Sequence, residues 1–182
     1  TKHSYCFGNI NTAYEYCGIE IILYKDENEL LALVPENDSV FIDAEDAVDL
    51  PEDYRIIAVC EPTRQELELS VNLTNEIILH KASLNVSVLY LNIMEYSKVS
   101  KRFLDLFWER GVPNSARITF THAIYFEDIN HAMMIDSQYS NKIPIKGLSL
   151  AFKGALKGIL QDIFKLDSKS VRDILKKAER EK

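Results

Sequence analysis

Two side chains with useful chemistry stand where short apolar runs end. Asp43 closes Ser39–Asp43 (SVFID), and Asn92 lies near the end of the run from Val86 to Ile93. Open α/β sheets bind ligands beyond the carboxyl ends of their strands, so an acid or an amide at such a position is placed for binding. Asp43 could hold magnesium through water, or it could cap the acidic loop AEDAVDLPED that follows it. Asn92 could read a base, or it could satisfy the backbone of its own loop.

The other candidates are weaker. A phosphate cradle needs glycines that let backbone N–H groups crowd the anion and a lysine that reaches the outer phosphates. The sequence holds neither GxxxxGK[ST] nor GxGxxG, and Phe7-Gly8-Asn9-Ile10-Asn11-Thr12 has one glycine and no lysine, which suits an ordinary turn better. His3, His80, His122 and His131 offer no i, i+4 ligand pair and no neighbouring cysteine, so a zinc site is not expected. Serine, histidine and acid are all present, but no GxSxG elbow lifts a serine onto a strand-to-helix turn, so no catalytic set is assigned. Met133 and Met134 suit packing or an interface better than a cofactor box. Lys176, Lys177 and Arg180 lie on a terminal segment whose apolar face is only Val171, Ile174 and Leu175, the pattern of a solvated end.

The elements that must carry these residues alternate. Ile19 to Tyr24 reads as a strand after Gly18, Ser39 to Asp43 as a second, and Tyr54 to Cys60 as a third that Glu61-Pro62 closes. Thr63-Arg64-Gln65-Glu66 is a capping box, opening a helix with Leu67, Val71, Thr74 and Ile78 on one face and running to about His80. Val86 to Ile93 is a strand buried on both faces. Val99, Phe103, Leu106 and Phe107 then recur at helical spacing, with Gly111 and Pro113 as the stop. Ala116 to Thr121 is the last strand, followed by a loop AIYFED and a short helix INHAMMID. Leu148, Phe152, Ala155, Ile159 and Ile163 mark a further helix, and Asp167-Ser168 caps the last. Five apolar strands without in-out alternation, interleaved with helices, predict a three-layer α/β fold: a mostly parallel sheet with helices on both faces. The expected organisation is one α/β domain over residues 1–166, with 1–38 as a divergent N-terminal part, and a charged C-terminal helix over 167–182.

With 182 residues, 47% hydrophobic and 27% charged, the chain can bury a full core without staples. Its net charge of −7 disfavours general nucleic-acid binding, which rests on neutralising phosphates. Residues 141–182 carry 11 basic and 5 acidic side chains, a balance of +6 that leaves −13 on the first 140, so DNA contact by that basic segment is the only nucleic-acid contact the charge pattern suggests. Cys6, Cys17 and Cys60 show neither metal-site spacing nor an even count, the pattern of reduced thiols in a cytoplasmic protein. No apolar run approaches a membrane span, and no signal-peptide pattern opens the sequence.

Four stretches, SVFIDAED, IIAVCEPTRQELELSVNL, SVLYLNIME and THAIYFEDINHAMMIDSQYSNKIP, taken in that order, resemble the second half of the MinD/ParA-type ATPases, the SIMIBI branch of P-loop proteins. The resemblance rests on order and spacing from Ser39 to Phe164. It implies a P-loop-like nucleotide sheet, with Asp43 before a switch loop, Glu61 and Pro62 in the turn that leads into the helix following the nucleotide, and Asn92 against the base. The family's two-lysine, glycine-rich phosphate loop has no counterpart before Asp43, so its N-terminal unit has degenerated or lies outside this sequence. The expected function is therefore a non-hydrolysing ParA/MinD-like interaction or positioning module in a larger cytoplasmic assembly, with no bound cofactor. It would pair with itself or with an active relative across the nucleotide face. Two alternatives stand beside it: the C-terminal part of a competent ATPase using ATP and magnesium, and a receiver-like regulatory domain.

Overall fold

The computed structural model describes residues 13–16, 19–22, 43, 55–79, 84–140 and 142–180. The chain divides into two compact units, Thr1–Ile42 and Asp43–Lys182.

In the first unit, β1 (Ala13–Tyr16) and β2 (Ile19–Ile22) pair antiparallel, from Tyr16↔Ile19 to Ala13↔Ile22. The strand expected at Ile19–Tyr24 is therefore half of a two-stranded ribbon, and its partner comes from the Tyr-rich opening stretch in which no period is legible. The Phe7–Thr12 turn, Cys6, Cys17 and most of Ser39–Asp43 lie outside the described residues, as does the acidic loop.

The second unit holds a parallel sheet of β3 (Ile56–Cys60), β4 (Leu84–Ile93) and β5 (Ala116–Tyr125), neighbours in chain order. Between β3 and β4 runs α1 (Arg64–Leu79), and between β4 and β5 runs α2 (Lys101–Gly111). α3 (Asp128–Ser140), a 3-10 turn at Ile145–Gly147, α4 (Leu150–Asp162) and α5 (Ser168–Ala178) follow.

β4 is the central strand of this sheet, and its alternation sorts the layers. Val86, Val88 and Tyr90 point into one core with Leu67, Val71 and Ile78 of α1 and Leu104 and Trp108 of α2. Ser87 and Leu89 lie on the other face, in register with Phe120 and His122. There α4 approaches so closely that a Cβ on Gly158 would stand 3.2 Å from the His122 ring. Helices thus cover both faces, and the α/β layering expected from the run of apolar strands is what forms.

α1 begins where the capping box places it, with the Glu66 N–H donating to the Thr63 hydroxyl at 3.3 Å, and it buries Leu67, Val71, Thr74 and Ile78 as read. Two readings need correction. The buried face of α2 is Leu104 and Trp108, while Phe103 is 53% exposed and Leu106 is 40% exposed. The chain after Thr121 is strand rather than loop, because β5 continues through His122, Ala123 and Ile124 to Tyr125 alongside the equally long β4.

Candidate functional site

In the parallel register Ile56 to Cys60 faces Val86 to Tyr90, so Glu61 and Asn92 emerge from neighbouring strands at the same carboxyl edge. The Asn92 side-chain amide donates to Glu61 Oε1 at 2.7 Å. Asn92 has a φ of 57°, a left-handed conformation that asparagine tolerates better than most L-residues. Pro62 follows directly, half-buried, and hands the chain to the N-terminus of α1. Three of the four residues expected to face a ligand are therefore gathered at one edge. Asp43 is exposed, lies outside any strand, and makes none of the hydrogen bonds or ion pairs found among the described residues.

Beside this pair the end of β5 builds a second polar group that sequence reading missed. The Phe126 N–H donates to the Ile93 carbonyl at 2.9 Å, extending the β4–β5 ladder past Tyr125. Asn130, almost wholly buried in the first turn of α3, donates to the Glu127 carboxylate and to Ser149 Oγ at 3.1 Å, and its carbonyl oxygen accepts the Ser149 N–H at 2.8 Å. The Ser149 hydroxyl donates to Glu127 and accepts the Phe152 N–H at 3.1 Å as the N-cap of α4. Every polar atom of Asn130 is satisfied, so the network pins α3 to the start of α4 instead of offering reactive groups. Glu127-x-x-Asn130 at a helix start was the available signal; its partner Ser149 is too remote in sequence to be inferred.

A third cluster ties α2 to the sheet. Lys101 Nζ donates to Asp105 Oδ2 at 2.8 Å and to the Thr121 hydroxyl, while the Tyr90 hydroxyl donates to Asp105 Oδ1 at 3.1 Å. Burial, with the Asp105 charge and hydrogen bond adding to it, pushes the Tyr90 phenol well above its ordinary value, so it stays a neutral donor. On the opposite face His122 Nε2 lies 3.3 Å from Asp162 Oδ2 without the angle of a hydrogen bond. Burial lowers the His122 pKa, Asp162 opposes that shift, and Lys101 adds to it.

Among the described residues, no group of three or more His, Cys, Asp or Glu side chains could hold a metal ion. No helix among them is long and apolar enough to cross a membrane.

The carboxyl edge has a definite polarity. One N–H of the Asn92 amide is held by Glu61, so the pair presents the Asn92 carbonyl oxygen, the remaining carboxylate lone pairs and the second amide N–H, more acceptors than donors. Around it stand exposed apolar side chains: Tyr96, fully exposed, and Met94, 52% exposed, in the turn after β4, with Tyr125 at the end of β5 and Ile129 at the start of α3. Set against family models, curated proteins and solved structures, this chain matches none.

Proposed function

We propose that this domain is a non-hydrolysing ParA/MinD-like module that binds a protein partner, a second copy or an active relative, through the carboxyl edge of its sheet. The Asn92–Glu61 pair carries this reading. A base is read by an asparagine whose amide can turn to offer donor and acceptor together, and here Glu61 holds one of the two amide N–H groups at 2.7 Å, fixing the amide against the neighbouring strand. Acceptors flanked by Tyr96, Met94 and Tyr125 suit backbone N–H groups or basic side chains of a protein, since interfaces favour aromatic and methionine side chains with a few placed polar groups.

Isothermal titration with ATP and magnesium tests the reading directly. The expected result is no saturable heat at micromolar nucleotide. Micromolar binding with turnover would sink it and favour a competent ATPase. Should nucleotide bind without turnover, Glu61→Ala decides whether the edge is responsible, because freeing the Asn92 amide would then tighten binding.

A further inference from the structure

The opposite, amino-terminal end of the parallel sheet carries a cleft of about 550 Å³ that the reading above leaves unused. Arg55 at the start of β3, Arg117 at the start of β5 and Lys165 after α4 all line it, against one carboxylate, Asp162. Among the described residues none of the three cations has a carboxylate partner. Three cations gathered around one cleft in a chain of net charge −7 concentrate positive potential there.

Two local distortions shape this cleft. In the register between β4 and β5, Val86 faces Ile118 and Ser87 faces Phe120, so Thr119 is an extra residue, a bulge. The Thr119 hydroxyl donates to the Val86 carbonyl at 3.2 Å and stands 3.2 Å from the buried Ser87 hydroxyl, whose hydrogen can turn between Thr119 and a ligand. Lys165 has a φ of 57°, a left-handed position after a helix that glycine fills without strain. Held there, its ammonium lies 4.2 Å from the centre of the Phe120 ring. The Arg55 guanidinium is fixed by donating to the Ile163 carbonyl, which leaves its other N–H groups for a ligand.

We infer that this cleft binds a small phosphomonoester, its phosphate between Arg55, Arg117 and Lys165 and its apolar body against Phe120 and Ile118. The donors are those that oxyanions require, and the apolar floor distinguishes an ester from bare phosphate. The site is independent of the carboxyl edge, so either can fail without the other.

The test is an NMR titration of the labelled protein with inorganic phosphate and with phenyl phosphate, following the amides of Ser87, Thr119 and Lys165. Phenyl phosphate is expected to bind more tightly than phosphate, and Arg117→Gln to weaken both by about tenfold or more, the usual cost of losing a charged hydrogen bond. Lys165→Gly separates binding from folding: it relieves the left-handed strain, so the melting temperature should hold or rise while affinity falls. Asn92→Ala should leave the titration unchanged. The proposal is overturned if neither probe shifts these amides at tens of millimolar, or if binding survives both Arg117→Gln and Lys165→Gly undiminished.

Discussion

Cys60 ends β3 with its thiol buried beside the Trp108 indole and the Ser70 hydroxyl. Burial pushes its pKa from 9.0 up to about 11, the Trp108 contact opposing and Glu66 reinforcing the shift. Thiolate is the reactive form, so the folded protein at pH 8 should protect Cys60 from iodoacetamide. Peptide mass spectrometry should find it alkylated only after denaturant is added; rapid labelling of the native protein would contradict this burial. The same shift acts on stability. Above pH 9 the unfolded chain loses this proton before the folded one does, so the stabilisation is complete below about 9 and is lost as pH rises through about 11.

At the scale of elements, α2 offers the sharpest test of packing. Leu104→Ala should cost about 2–5 kcal/mol and Trp108→Ala about 3–5 kcal/mol, whereas Phe103→Ala should cost well under about 2 kcal/mol, measured by urea unfolding. Equal losses at all three sites would reverse the face assigned to this helix. The sequence reading of α2 placed the stripe through Val99, Phe103, Leu106 and Phe107, and only part of it holds: Val99 and Phe107 pack against the core, while Phe103 and Leu106 line an open groove between α1 and α2. A helix with apolar residues on both sides of its axis does not disclose which side meets the sheet. The start and the buried face of α1 are legible because the cap and the stripe Leu67, Val71, Thr74 and Ile78 agree; its expected end at His80 lies outside the described residues. The expected strand ends at Thr121, four residues before β5 does, because His122 interrupts the apolar run; yet both residues have roles that sequence cannot display, Thr121 accepting from Lys101 and His122 packing under Gly158. The edge that gathers Glu61, Pro62 and Asn92 was foreseeable from strand ends alone. The Asn92–Glu61 bond was not, since it depends on the register between two strands.

At the scale of the whole molecule, the buried core found among the described residues, from Cys60 to Trp108, lies within the second compact unit. A fragment of residues 43–182 is therefore expected to fold without the first unit and to unfold in one cooperative transition, followed by circular dichroism. A broad, non-cooperative melt would show that the β1–β2 ribbon supplies stability that the core alone does not. The C-terminal end of this unit is tied down by polar links: Lys153 Nζ lies 2.8 Å from Glu179 Oε1 between α4 and α5, and Asp167 caps α5 by accepting the N–H groups of Lys169 and Ser170. Lys153 and Asp167 thus serve the fold, and the basic balance of residues 141–182 is not all available to a polyanion.

The order β3–β4–β5 also bears on how the chain reaches its fold. Among the described strands of this sheet, β4 docks on β3 and β5 on β4, with a single helix making each return. Loop-closure entropy is met in small instalments, and no distant segment has to be inserted between β3 and β4 or between β4 and β5. During synthesis β3, α1 and β4 can assemble as they leave the ribosome, and β5 then adds to a surface already in place. The same order leaves the exit of β4, where Asn92 meets Glu61, formed before α3 and α4 exist, so this edge is shaped early and its neighbours are built around it.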